Sequence, residues 1–358
     1  MIKMRADFDL ENTDGEARTG TVRLATGSFK TPCFMPVGTR GSVRHLSSLD
    51  LKDLGARVVL ANTYHLMLRP GAEIVKNAGG IASFSNWTGL TLTDSGGYQI
   101  FSLDPKIDEE GATFRSVYDG SFHKLTPETS ADIQADIGAD IQMVLDICPA
   151  LPAPEETIRE SVEMTAAWAE RGRETFLNHP DASSRQSQFG IVQGGINPAL
   201  RADSAKRTLE IGFDGYAIGG LSVGEGRNEM FDSVSVVTEL IPEDQPRYFM
   251  GLGDPVGLLK VVERGIDMFD CVLPTRSGRT GLAFTWNGRI NIKNSKYQYD
   301  NTPLDSKTSI FDLNKYSKNY INHLFNTNEI LASMILTLHN INFYQELMYA
   351  IRENIEKG

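Results

Sequence analysis

Only three cysteines occur in 358 residues, Cys33, Cys148 and Cys271, odd in number and widely separated. That usage excludes a disulfide framework and leads us to expect free thiols in a reducing, cytoplasmic setting. No run of about eighteen apolar residues occurs, and no apolar stretch opens the chain, so neither a membrane span nor a secretory leader is read. Internal repeats and low-complexity linkers are missing too. Positive charge is in deficit, with 35 Lys and Arg against 46 Asp and Glu, a net charge of −11. Such a balance argues against non-specific binding to nucleic acid.

Against these absences stand 41% hydrophobic and 23% charged residues, an ordinary globular composition. The length suits one barrel-sized domain over 1–358. Charge is unevenly spread. Residues 271–320 hold eight basic residues (Arg276, Arg279, Arg289, Lys293, Lys296, Lys307, Lys315, Lys318) and three acids (Asp300, Asp305, Asp312). A basic island on an acidic body permits docking of one polyanion at one place.

Short apolar, β-branched runs recur at about 32–37, 57–61, 90–94, 140–146, 188–193, 214–219, 247–252 and 267–273. Helical stretches separate most of them. Near-continuous apolar strands alternating with helices indicate a closed parallel (β/α)8 TIM barrel. Thr126-Pro127-Glu128 and Asn197-Pro198 each set a capping side chain before a first-turn proline, and Pro154-Glu155-Glu156 opens an acidic-first helix running to about Leu177. Three segments break the rhythm. Residues 4–30, with an Asp14-Gly15 turn, suggest a β-hairpin cap, and 113–125, with Asp119-Gly120, suggest a second hairpin inserted after the third strand. From 288 the composition shifts to Asn, Lys, Ile and Tyr; 288–340 reads as a subdomain, with helices expected at about 315–337 and 340–356.

In such barrels chemistry sits at the carboxyl ends of the strands. Here those ends carry Asp94-Ser95-Gly96-Gly97-Tyr98, Asp146-Ile147-Cys148, Gln193-Gly194-Gly195, Gly219-Gly220-Leu221, Met250-Gly251 and Asp270. Carboxylates and a glutamine supply paired hydrogen bonds to a flat heterocycle, and glycines admit it close to the backbone. Tyr98 and Met250 could sandwich the ring. Asp270 ends an apolar run and is followed at once by Pro274, Arg276 and Arg279. A carboxylate beside phosphate-sized guanidinium forks suits attack on a sugar carbon within a polyanion.

Five motifs carry a resemblance. Asn62-Thr63-Tyr64-His65-Leu66, Asp94-Ser95-Gly96-Gly97-Tyr98-Gln99, Gln193-Gly194, Gly219-Gly220-Leu221-Ser222-Val223-Gly224-Glu225 and Asp270-Cys271-Val272-Leu273-Pro274-Thr275-Arg276 resemble, in order and spacing, the bacterial type of tRNA-guanine transglycosylase. The resemblance covers essentially the whole chain. It implies exchange of the wobble guanine of GUN-anticodon tRNAs for preQ1 in queuosine synthesis. Asp270 would be the nucleophile and Asp94 the proton donor and acceptor. Asp146, Gln193, Gly220 and Leu221 would read the purine edge, while Tyr98 and Met250 would stack on it. Val223 and Cys148 match the bulkier residues of the bacterial type and favour preQ1 over queuine. Arg276 and Arg279 would hold phosphates, and Lys293, Lys315 and Lys318 would add to the tRNA surface. A homodimer is also implied. So is a competing possibility, a catalytically silent tRNA-binding or partner subunit, which the presence of both Asp94 and Asp270 disfavours.

Two departures from the family pattern are legible. Its subdomain binds a structural zinc through three cysteines and a histidine, whereas the matching positions here are Thr308, Ile310, Leu313 and His339. No metal or other cofactor is therefore expected, and an apolar plug is expected to replace it. Ile147 stands where the bacterial pattern has Glu, which would remove one polar group from the pocket and leave Glu225 there.

Overall fold

The computed structural model describes residues 6–308, 313 and 315–358. Eight parallel strands form one sheet: Cys33–Pro36, Val58–Asn62, Leu90–Asp94, Ile141–Met143, Ser187–Val192, Gly215–Ile218, Arg247–Phe249 and Met268–Cys271. Each coincides with one of the apolar runs. The eighth strand pairs with the first, Asp270 beside Met35, and a parallel bridge between Val37 and Leu60 joins the first to the second. The sheet thereby closes into the expected (β/α)8 barrel. Side chains such as Phe34, Leu92, Ile141, Phe189, Tyr248 and Phe269 are fully buried in the core. A parallel strand covered on both faces has no solvent side, which is why these runs read as continuous rather than alternating.

The helices between strands begin where capping chemistry places them. Thr126 accepts from the Thr129 N–H to open the helix Pro127–Ile137. Asn197 Oδ1 accepts from Ala199 and Leu200 N–H ahead of Pro198–Ile211, and the acidic-first helix spans Glu155–Asn178.

Three expectations need correction. The N-terminal cap is a three-stranded antiparallel sheet, because Gly27–Thr31 adds to the hairpin of Asp7–Asp14 and Ala17–Leu24. The inserted hairpin likewise gains a strand, Lys106–Asp108 beside Gly111–Arg115 and Phe122–Leu125. Toward the C-terminus the helices are Lys318–Asn326 and Ile330–Lys357, so the break falls at 327–329, with Asn328 at φ 58°, and not near 338. His339, which fell in the expected break, and Asn340, expected to open the second helix, are both buried inside the long helix and hydrogen-bond to Phe284 O and Pro274 O on other segments.

Two contacts anchor this frame. Arg18 of the N-terminal sheet forms a buried bidentate pair with Asp267, its Nε at 3.0 Å from Oδ1 and its Nη2 at 2.5 Å from Oδ2. Asp267 immediately precedes the strand that carries Asp270. On the far flank a second apolar cluster gathers Ala283, Ile292, Leu304, Leu313, Ile321, Leu324, Ala332, Ile335 and Leu336. No helix among the described residues is long and apolar enough to cross a membrane.

Candidate active site at the carboxyl mouth of the barrel

Asp94 ends the third strand and Asp270 lies within the last turn of the eighth, so both carboxylates stand at the carboxyl rim. Asp94 is gripped by its neighbours. Oδ2 accepts from Asn62 Nδ2 at 2.6 Å, and Oδ1 accepts from the N–H of Thr63 at 3.0 Å and of Gly96 at 3.1 Å. Desolvation by the surrounding walls outweighs these bonds and, with the charge of Asp270, raises its pKa to about 7. Asp270 Oδ1 accepts from the Tyr248 hydroxyl at 2.6 Å and the Gly251 N–H at 2.8 Å. Desolvation raises its pKa too, while these two donors pull it back down. One carboxyl is thus poised to carry a proton near neutrality, and the other is aimed by a buried phenol.

Beside them is a buried polar cluster. Gln193 Nε2 donates to Asp146 Oδ2 at 2.6 Å, and Ser95 Oγ lies 3.4 Å from Oδ1. Burial pushes Asp146 up to about 6. The Gln193 Oε1 is buried with no partner among the described residues, which leaves an acceptor free at this mouth. Gly219 and Gly220 close over this amide; a Cβ on Gly220, whose φ is +65°, would sit 2.2 Å from Gln193 Oε1. The Gly220 N–H reaches the Cys148 thiol, and burial drives that thiol up to about 12. Leu221 is buried and Val223 half-buried in the loop that follows. Tyr98 projects at the rim, 62% exposed, from the short helix Gly97–Phe101, and Met250 is half-buried after the seventh strand.

Not every expected site residue faces the mouth. Ile147 packs into an apolar cluster with Tyr64, Ile100, Phe114 and Trp168, and its N–H donates to Thr165 Oγ1 at 3.0 Å. The Ile147 side chain thus contributes apolar packing against residues of the inserted sheet. Glu225, expected to be available in the pocket, turns its carboxylate onto the N–H groups of Ser222 and Val223.

The basic island divides. Arg276 and Arg279 lie on the helix Leu273–Thr280 directly after Asp270. Arg279 lines a cavity with Arg40, Arg44 and His45, to which three hydroxyl residues and no carboxylate contribute. None of the four arginines Arg40, Arg44, Arg276 and Arg279 has an ion pair among the described residues, and Arg44 and Arg276 depress the Arg279 pKa further after desolvation; desolvation and the neighbouring Arg279 and Arg44 lower the His45 pKa. Lys293, Lys315 and Lys318 belong instead to the segment around the second apolar cluster. Lys293 lies over the Phe325 ring, Lys315 is exposed, and Lys318 is held by Asp300 at 3.4 Å and Thr302 at 2.9 Å. Arg289 is likewise paired, with Asp254 at 2.7 Å.

The zinc positions do not fit a metal. Thr308 and Leu313 are buried without a thiolate, and Leu313 packs in the second apolar cluster. His339 Nε2 is 2.7 Å from the Phe284 carbonyl. Ile310 lies outside the described residues. Among the described residues no group of three or more His, Cys, Asp or Glu could hold an ion.

Sequence reading assigned no role here to Asn62 or Tyr248, and it named Gly251 only as a strand-end glycine. Asn62 carried a faint signal, since a polar residue ends a strand beside a second polar strand end. The others look like ordinary core or turn residues until the fold brings them together.

Comparison with known proteins follows from this geometry. A family profile described as "Queuine tRNA-ribosyltransferase" matches residues 13–358. Curated relatives bear the same description. One from Cereibacter sphaeroides is 50% identical over 359 residues, covering 100% of this chain and 94% of its own length. One from Caulobacter vibrioides is 50% identical over 354 residues, covering 98% and 94%. One from Thermotoga petrophila is 47% identical over 353 residues, again covering 98% and 94%.

Proposed function

This chain belongs to the queuine tRNA-ribosyltransferase family, and we propose that it exchanges the wobble guanine of GUN-anticodon tRNAs (Asp, Asn, His, Tyr) for preQ1. The observation that carries this reading is the pair of unlike carboxyls at one mouth, Asp270 aimed by Tyr248 and Asp94 raised to about 7. Two carboxyls with divergent environments are the means by which N-glycosides, like O-glycosides, are cleaved through a covalent intermediate.

The wobble nucleotide leaves its stack to enter the mouth. Its purine edge meets Asp146, Gln193 and the amides of Gly220 and Leu221, with Tyr98 and Met250 flanking the ring. The Asp270 carboxylate bonds to the ribose anomeric carbon as the bond to guanine breaks, and the bond's electron pair departs with the base. Asp94, as the carboxylic acid, supplies a proton to the leaving guanine. PreQ1 then enters. The Asp94 carboxylate takes a proton from it, its ring nitrogen bonds to the anomeric carbon, and Asp270 is released. Two inversions give net retention. Cys148 and Val223 limit the space at the far end of the pocket, which supports preQ1 over a bulkier base.

The tRNA backbone is held by Arg276 and Arg279, continued by Arg40 and Arg44 around the uncompensated cavity. Lys293, Lys315 and Lys318 add weaker long-range attraction. We further infer one domain over 1–358 with a subdomain at 288–340 held by its own apolar cluster instead of zinc. A cytoplasmic homodimer remains part of the reading.

The test is incorporation of labelled guanine into an unmodified GUN-anticodon tRNA by chelator-treated protein, with Asp270→Ala alongside. Exchange by the wild type, together with an Asp270-dependent protein–tRNA adduct on a denaturing gel, supports the reading. A folded protein that binds tRNA and exchanges nothing replaces it with the silent subunit.

A further inference from the structure

Behind the Gly219–Gly220 turn lies a cation that the exchange reaction does not obviously need. Arg201, on the helix Pro198–Ile211, is 0% exposed. Its guanidinium donates only to carbonyls. Nε reaches Gly195 O at 2.7 Å, Nη1 reaches Val192 O at 2.9 Å and Gly219 O at 2.8 Å, and Nη2 reaches Gly220 O at 3.3 Å. No carboxylate pairs with it among the described residues. A buried charge without a counter-ion is costly, and an apolar side chain would fill the same volume without that cost. What the charge adds is control of two successive carbonyls.

That control has a geometric consequence. In a trans peptide the C=O and N–H point to opposite sides. Holding the Gly219 and Gly220 carbonyls against Arg201 therefore turns the N–H groups of Gly220 and Leu221 away from it. The Gly220 N–H does reach the other side, where it meets the Cys148 thiol next to Asp146. The Leu221 N–H donates to no group among the described residues, although Leu221 is only 3% exposed. Close by, Gln193 Oε1 is also buried and unpartnered. The turn thus presents one unconsumed donor, the Leu221 N–H, beside a Gly220 N–H that only a weakly accepting thiol meets, and an unpartnered acceptor in Gln193 Oε1.

There is an electrostatic consequence as well. A carbonyl that accepts from a cation polarises its own peptide and makes the N–H at the other end a stronger donor. When the glycosidic bond breaks, its electron pair enters the purine and spreads to the carbonyl edge of the ring. Preorganised N–H donors at that edge gain most at that moment.

We infer that Arg201 is a positioning residue for the exchanged base: it fixes and polarises the Gly219–Gly220 and Gly220–Leu221 peptides so that their N–H groups bind the acceptor edge of the purine and draw off charge as it departs. This rests on the base-exchange reading of the same site. Arg201 touches no substrate atom; it acts through the backbone it holds.

Guanine binding by calorimetry and labelled-guanine exchange would be measured for the wild type, Arg201→Lys and Arg201→Met, with thermal unfolding as a control on each. Both variants should raise the Kd and KM for guanine by on the order of tenfold or more, Met more than Lys, with the KM for tRNA unchanged. Methylguanidinium added to Arg201→Ala should recover part of the exchange rate. Variants that fold and bind guanine within about twofold of the wild type would overturn the inference, as would equal losses in the KM for guanine and for tRNA. Should Arg201→Met fail to fold, Arg201→Lys, which keeps the charge but not the fork, decides alone. A wild type that neither binds guanine nor exchanges it removes the base-exchange reading itself.

Discussion

The phenol of Tyr248 stands beneath Asp270 and donates to its Oδ1 at 2.6 Å from a ring that is 0% exposed. This bond lowers the Asp270 pKa against the pull of desolvation. Tyr248→Phe keeps the shape and deletes the donor, leaving only the Gly251 N–H. The Asp270 pKa must then rise, so less of it is ionised at any acidic pH. The expected outcome is an acid limb of kcat/KM displaced to higher pH and a rate at neutral pH lower by on the order of tenfold. Single-turnover trapping of the protein–tRNA adduct across pH measures it; an unmoved acid limb would count against Asp270 as the nucleophile.

Asn62 has the converse relation to Asp94. Its Nδ2 donor favours the carboxylate and lowers a pKa that burial has raised to about 7. Proton delivery to guanine requires the acid form, so exchange should fall as pH rises through about 7. Asn62→Ala removes a group that favours ionisation, which raises the pKa further and moves this alkaline limb upward. The same change deletes the cap that accepts from the His65 N–H at 2.9 Å, at a cost of about 1 kcal/mol in stability. The two effects separate in a pH–rate profile and a thermal melt.

Asp94 and Asp146 also tie stability to pH. Both have folded pKa values raised, to about 7 and about 6, above the ordinary aspartate value of about 4. Their neutral forms suit the fold, so their contribution is intact below about 4 and is lost as pH rises to about 7. Asp146→Asn should flatten part of this decline in a series of melts between pH 4 and 8. A decline of unchanged steepness would argue against the buried, neutral-leaning carboxyl.

Arg44 lines the cavity with Arg279 and has no carboxylate partner among the described residues. Arg44→Ala should weaken tRNA binding without changing kcat, and should reduce the slope of log KM against log salt by about 1. A KM that keeps its full salt slope would remove this side chain from the phosphate track.

The second apolar cluster offers a metal test. Because Leu313 packs where a thiolate would be required, exhaustive chelation should leave the melting temperature unchanged. Leu313→Ala, by contrast, should cost about 2–5 kcal/mol if the cluster carries the stability that zinc would otherwise supply. A chelator-induced drop in melting temperature would show that a metal is bound after all.

The barrel was legible because each of its strands is covered on both faces and so appears as an unbroken apolar run. The satellite sheets were only partly legible. Gly27–Thr31 buries just Phe29 and Thr31, and Lys106–Asp108 buries nothing fully, so neither has a pattern to read. The misplaced helix break has a specific cause. Asn340 reads as the first residue of a new helix, yet it lies inside one, where its amide donates to Pro274 O and Leu282 O and its carbonyl accepts from Phe284 N–H, all supplied by distant chain. At the site, Asp94 and Asp270 were visible as charges at the ends of apolar runs. Tyr248 and Arg201 were not, because a buried phenol and a buried guanidinium declare their partners only in three dimensions.

The long helix Ile330–Lys357 reaches back to where the barrel begins. Gln345 donates to the carbonyl of Phe34, 311 residues earlier, and Arg352 to that of Pro32, 320 residues earlier. At about 5–20 residues per second, a ribosome makes this stretch in roughly 15 to 60 seconds. Throughout that interval the first strand lacks the cover of this helix, and its sheet partner Met268–Cys271 is itself made only late in it. Maturation of the enzyme is therefore clocked by its final helix, and an unfinished chain is a natural client for chaperones that shield apolar surface.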